Sequence, residues 1–112
     1  MMARNAPEAG RLARRLVLEA PVDAADDIGG ASRSWVVVAT LWGEIESLRG
    51  ETRLAADRLE QAITHRVTLR WRPGVTAQMR LRLGARVFVI RAARDPDESR
   101  RRLVLDCEEI AL

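Results

Sequence analysis

Between Ile63 and Trp71 the chain alternates without a break: Ile63, His65, Val67, Leu69 and Trp71 interleave with Thr64, Arg66, Thr68 and Arg70. A period of two predicts a strand with one buried and one wet face, and Pro73-Gly74 ends it. Three further runs share the pattern, Met79 to Leu83, Arg86 to Ala92 and Leu103 to Glu108, separated by "GA" and "RDPDESRR". Four short strands at hairpin spacing predict an antiparallel meander.

The first half is less regular. Leu12, Leu16 and Leu18 share one face and Arg15, Val17 and Glu19 the other, which predicts a strand from Leu12 to Ala20 ended by Pro21. "VDAADDIGGASRS" is rich in Asp, Gly and Ser, residues that supply turn conformations, and reads as a long exposed hairpin loop. From Trp35 to Leu48 both faces are apolar, and Val36-Val37-Val38 favours strand over helix because branched side chains lose rotamer freedom in a helix. The run reads as one long central strand covered on both sides, bulged or bent at Gly43.

Residues 51–62, "ETRLAADRLEQA", consist mostly of helix formers. Ala55, Leu59 and Ala62 fall on one face, Glu51 suits a first turn, and Arg53 and Asp57 are placed to pair. A helix this short, with so thin an apolar stripe, is marginal unless it packs on something.

With 112 residues, 47 % hydrophobic and 31 % charged, the chain is long enough for one modest core and ordinary for a globular protein. All 19 basic residues are Arg, and the formal charge of +3 conceals an asymmetry. Residues 1–63 carry 8 Arg and 10 acids, residues 64–102 carry 11 Arg and 3 acids, and residues 103–112 carry 3 acids alone. A basic middle between acidic flanks suits nucleic acid, or the acidic surface of a neighbouring copy. One cysteine excludes an intrachain disulfide, "MMARNAPEAG" lacks the apolar core of a signal peptide, and no run approaches a membrane span, so synthesis in the cytoplasm is expected.

The inventory for catalysis is thin: one His, one Cys, no Tyr, no phosphate loop and no His or Cys pair at metal spacing. His65 lies in the apolar register between Ile63 and Val67, where a structural imidazole is expected. Cys107, in register with Leu103 and Leu105, reads as a small core residue. Glu44 and Glu46 share a strand face that reads as solvated. No catalytic residue, metal site or cofactor is implied. Arg66, Arg70 and Arg72 share one strand's polar face and Arg80 and Arg82 the next strand's, so a meander would set five guanidinium groups on adjacent strands as a stripe for phosphates or for a neighbouring subunit. No aromatic residue interleaves them on that face, which weighs against base stacking.

The segment "THRVTLRWRPGVTAQMRLRLGARVFVIRAARDPDESRRRLVLDCEE", with "DIGGASRSW" and "ATLWGEIESLRG" upstream, resembles the head-tail joining (head closure, or stopper) proteins of tailed bacteriophages and related gene transfer agents. The resemblance covers residues 12–109 and is strongest in "THRVTLRWR" and "VFVIRA". It implies a ring of copies between the portal-adaptor complex and the tail terminator or tail tube protein, made in the bacterial cytoplasm and resident in the virion, with packaged double-stranded DNA passing through the central hole. It further implies that an insert between the second and third strands faces the channel and closes it after packaging. By position the insert is Leu48 to Gln61, including Arg49, Gly50, Glu51, Thr52, Arg53, Asp57 and Arg58.

The expected protein is therefore mainly β: a flexible N-terminus (residues 1–11), then one domain (12–112) forming a small open β-barrel or rolled antiparallel sheet of about six strands with one short inserted helix or loop. The expected function is a head-tail connector ring that gates DNA, with Arg66, Arg70, Arg72, Arg80 and Arg82 facing a sister copy or the DNA. The alternative is a small-barrel nucleic-acid-binding module.

Overall fold

A computed structural model of the chain describes residues 13–25, 29–48 and 63–111. Six strands follow one another: β1 (Arg14–Ala25), β2 (Ala31–Ser47), β3 (His65–Arg70), β4 (Arg80–Leu83), β5 (Arg86–Arg94) and β6 (Arg102–Ile110). Every pairing is antiparallel. The sheet rolls until its edges meet, in the order β1-β2-β3-β6-β5-β4. The mainly β, six-stranded rolled sheet expected from periodicity is thus present. No helix occurs among the described residues, and the helix expected over 51–62 lies outside them, as does the tail 1–11.

The strands are strongly tilted, as closure of so few strands requires. The register leaves β2 at Ser47, opposite His65, passes through Cys107 to Ile90, and returns to β2 at Val37 by way of Val89, Arg80 and Glu19. Inside lies one core: Leu16 and Leu18 of β1, Val67 and Leu69 of β3, Leu81 of β4, Phe88 and Ile90 of β5, and Leu103, Leu105 and Cys107 of β6. Gly43 is the buried contribution of β2 at this level. A Cβ there would stand 2.8 Å from Leu16 Cδ1 and 2.8 Å from Leu69 Cδ2, so the glycine makes room for two leucines.

Four sequence-based expectations are corrected. β3 pairs with β6 and not with β4, so the second half is not a simple meander. The reason is the nine residues joining β3 to β4, Trp71 to Met79, which carry the chain across the end of the core; Trp71, Val75 and Met79 pack against it on the way. Pro21 does not end β1: it stands opposite Trp35. Beyond Glu19, β1 has β2 on one side and no strand on the other, an edge at which a ring nitrogen without a hydrogen is tolerated. Much of the expected loop is strand, Val22 to Ala25 pairing with Ala31 to Ser34. The irregularity in β2 falls at Val38, where the register slips between Leu18 and Glu19, rather than at Gly43.

The largest departure concerns β2. It pairs with β3 only from Gly43 to Ser47, and β1 pairs with β4 only from Val17 to Glu19. The rest of the β1–β2 hairpin leaves the closed sheet as a two-stranded ribbon about 20 Å long. Neither the ribbon nor the outside of the closed sheet carries a second layer, so the expectation of a strand covered on both faces fails: Val22 and Val36 of the ribbon are exposed, and on the closed-sheet part of β2 Val37 is 65% exposed and Trp42 55%, with Val38 also exposed.

Candidate functional site

The closed sheet separates the arginines that the sequence placed together. β3 and β4 are three strands apart, on opposite sides of the roll, so Arg66 and Arg70 form no stripe with Arg80 and Arg82. Arg66 stands 3.9 Å from Glu46 and 3.8 Å from Asp106. Arg80 donates from Nε to Glu19 at 2.6 Å and lies over the ring of Trp35 at 4.1 Å. Arg82 is 3.8 Å from the same carboxylate and donates to the Gly84 carbonyl. Arg72 lies just beyond β3, half-buried, its Nε without a hydrogen-bond partner. Of the insert, Leu48 is buried and its N–H donates to the Thr64 carbonyl at 2.9 Å. Arg49, Gly50, Glu51, Thr52, Arg53, Asp57, Arg58 and Gln61 lie outside the described residues.

What the fold does assemble is a row across the outer face of four strands. Arg15 of β1 pairs in register with Trp42 of β2; Gly43 and Leu69, the next residues, end the β2–β3 ladder; and Arg70 of β3 stands opposite Arg102 of β6. Trp42 is therefore bordered by Arg15 on one side and Arg70 on the other, with Arg102 one strand further. Like charges directly opposite in a sheet repel. Neither Arg70, Arg102 nor Arg15 has a described acid within ion-pair distance, whereas Arg33, Arg86, Arg91 and Arg94 are paired at 2.6–2.8 Å with Asp23, Glu109, Glu108 and Asp106. Further along β2, Val37 and Val38 are also exposed.

Sequence reasoning missed this row because it began the last strand at Leu103, leaving Arg102 outside it, and took Trp42 as part of a covered strand. A signal was present: a strand apolar on both faces from Trp35 to Trp42, in a chain too small to supply a layer on each side.

Residues 7–110 match the family model of the phage head completion proteins. The chain belongs to that family. Two solved structures share its fold. A protein from Shigella flexneri 2a, solved in solution, superposes with a TM-score of 0.70 at 25% identity, over 92% of this chain and 96% of that one. A chain from the virion of a native gene transfer agent particle superposes with a TM-score of 0.61 at 26% identity, over 88% of this chain and 96% of that one. No curated protein matches the chain in sequence.

Membership in the head completion family makes the protein a structural component of the virion head, and the remaining side chains that could carry chemistry fit such a part. His65 is half-buried, its ring edge-on to Phe88 at 5.0 Å and its Nδ1 2.9 Å from the Thr64 hydroxyl. Burial lowers its pKa, outweighing the pull of Glu109, whose Oε1 is 3.8 Å from Nε2. The Thr64 hydroxyl accepts from the Glu109 N–H, so this group ties β6 to the start of β3. Cys107 is sealed in the core, where burial pushes its thiol up to about 12, far from the thiolate a nucleophile needs. Glu44 and Glu46 line a shallow open groove shared with Arg66, Thr68, Arg94, Pro96, Arg102 and Val104. Charges of both signs line it, and no group of acids, His or Cys among the described residues is arranged to hold a metal ion.

Proposed function

We propose that the protein is a head-tail connector: copies assemble into a ring between the portal-adaptor complex and the tail, and packaged double-stranded DNA passes through the hole. The observation that carries the reading is the exposed face itself. A small, fully closed sheet in a head completion protein has no internal need for a projecting ribbon with bare valines, or for a bare tryptophan on its outer face beside arginines that lack an ion pair. An exposed apolar patch of this kind marks a surface that another protein covers. The likeness to a chain of a gene transfer agent virion supports the same reading. The described residues that flank this segment meet on the closed sheet, where the Leu48 N–H donates to the Thr64 carbonyl.

Deletion of the gene from the producing genome tests the proposal. Electron microscopy should show heads without tails that fail to retain DNA, and supplying the chain in trans should restore tailed, filled particles. Tailed particles that keep their DNA without it would overturn the reading.

A second reading, nucleic-acid binding, is favoured by one observation: the exposed Trp42 between Arg15 and Arg70, an aromatic ring among cations. Such a module binds DNA as a monomer, with affinity falling steeply as salt rises. A connector binds little DNA alone.

A further inference from the structure

Arginines crowd together where β3 ends and β6 begins. Arg70 stands opposite Arg102 in the β3–β6 ladder, and the Trp71 N–H donates to the Arg101 carbonyl at 3.1 Å. The pairing therefore runs one residue past the ladder and sets Arg72 beside the turn that carries Arg100 and Arg101. Asp95 fixes that turn: its carbonyl accepts from the Glu98 N–H at 3.1 Å and its carboxylate from the Arg100 N–H at 2.8 Å. Glu98 and Arg100 hold left-handed backbone, at φ 56° and 59°, which residues with a side chain seldom adopt. The Arg100 guanidinium lies over the Trp71 ring at 5.4 Å.

We infer that this cluster is a seat for the phosphodiester backbone of DNA, with Arg70, Arg72 and Arg102 supplying hydrogen bonds and Arg100 and Arg101 adding charge. The inference deepens the connector reading, on which it rests for the DNA that reaches the cluster.

Three observations carry it. The first is charge. Arg70 and Arg102 are directly opposite and repel, and none of the five arginines takes part in an ion pair among the described residues. The turn holds three acids. Asp95 is taken up by the Arg100 N–H, Asp97 accepts from the Ser99 hydroxyl and feels Arg102 only through space, and Glu98 is exposed. Five cations against three acids leave a surplus of two positive charges, 5 − 3.

The second is the state of the donors. Among the described residues the Nε of Arg66, Arg72, Arg82 and Arg102 are buried without a hydrogen-bond partner. Arg66 has carboxylates at 3.9 and 3.8 Å and Arg82 has one at 3.8 Å, whereas Arg72 and Arg102 have none. A buried N–H left unpaired is costly, and the planar guanidinium fork fits phosphate oxygens two at a time.

The third is shape. The cluster spreads over two strands and a turn, and the groove that Arg102 borders is shallow and open. Such a surface does not enclose a small anion; it suits a polyanion that presents phosphates in series. Glu44, diagonal to Arg70 but beyond ion-pair distance, bounds the seat on its β2 side and turns the polyanion toward β3 and β6. One copy offers few contacts and binds weakly, at about 10⁻⁴ M, while copies around a shared axis add their seats on one DNA.

Titration of the ¹⁵N-labelled chain with a short DNA duplex at low salt, followed through the arginine Nε–H resonances, tests this. The signals of Arg72 and Arg102 should shift and saturate, and those of Arg86 and Arg91, already bonded to Glu109 and Glu108, should not. Arg70→Gln with Arg102→Gln should weaken binding about tenfold and lower the slope of log affinity against log salt by about two. The thermal midpoint of that variant should not fall, because a repelling pair is removed. Arg33→Gln, on the far end of the ribbon, should leave binding unchanged. Affinity insensitive to the double variant, or no shift at Arg72 and Arg102, would overturn the seat. Saturation of the same signals by inorganic phosphate at lower phosphate concentration than DNA requires would make it a small-anion site, and tighter binding of polyglutamate would make it a seat for an acidic protein; either would overturn the assignment to DNA. The connector reading fails separately, through tailed and filled particles from the deleted genome.

Discussion

Arg80 Nε donates a 2.6 Å hydrogen bond to Glu19 Oε1 across the seam where the rolled sheet closes on itself. The seam is short, with only Val17–Arg82, Leu18–Leu81 and Glu19–Arg80 in register, and Glu19 is the one charged side chain among the described residues that is buried. The pair is also stacked, since the same guanidinium lies over Trp35 of the ribbon. One ion pair thus ties three strands together. Removing Arg80 leaves the buried Glu19 carboxylate with only Arg82, at 3.8 Å, whereas removing Glu19 leaves a guanidinium that still reaches solvent. Arg80→Ala should cost about 3 kcal/mol and Glu19→Ala less, and the double variant should cost clearly less than the two losses combined. Urea denaturation of the three variants measures this.

Gly43 predicts a steric result. The 2.8 Å approach that an added Cβ would make to Leu16 and Leu69, both fully buried, leaves no free volume on the core side, and Thr68 O stands at 3.3 Å. Gly43→Ala should destabilise by about 1–3 kcal/mol as an overpacked core does, although alanine suits a strand better than glycine. A rise in the thermal midpoint would show that the leucines move aside without cost.

The outer face of β2 predicts the opposite. Val37 and Trp42 face solvent in the isolated chain, so Val37→Thr and Trp42→Ser should change monomer stability by no more than about 0.5 kcal/mol. A larger loss, read as a shift in the urea midpoint at low protein concentration, would mean that these side chains have a partner within the molecule.

Stability should fall in mild acid. Burial lowers the pKa of His65 from its ordinary 6.5, so below that value the unfolded chain takes up a proton that the folded chain refuses. The contribution is complete above about pH 6.5 and is lost as pH falls through the lower folded value. At more acid pH the bidentate pair between Arg86 and Glu109, which holds that carboxyl below its ordinary 4.5, is lost in the same direction. Urea midpoints at pH 7 and pH 5 should differ in wild type and converge in His65→Gln.

Cys107 offers a reporter. With its thiol fully buried and pushed up to about 12, it should resist a disulfide-exchange reagent in the native state and react at once in denaturant. Fast native labelling would place the thiol on a surface that the core packing denies it.

Periodicity by itself determined the strands. Val67 and Leu69, Phe88 and Ile90, and Leu103, Leu105 and Cys107 are buried as alternation requires, because side-chain direction along a strand is a local property of the backbone. Length and composition set only the scale, a chain long enough for one modest core. Only the tertiary structure decided which strand meets which. Alternation is the same whether β3 lies beside β4 or beside β6, so the sequence could not show that Arg70 faces Arg102 rather than Arg80. It was equally silent on which apolar residues are covered: Val36, Val37 and Val38 read as core because they are apolar, and they are exposed because β2 runs past the end of β3 there and no second layer covers it. Hydrophobicity is carried by each residue, whereas burial depends on what other parts of the chain arrive to cover it.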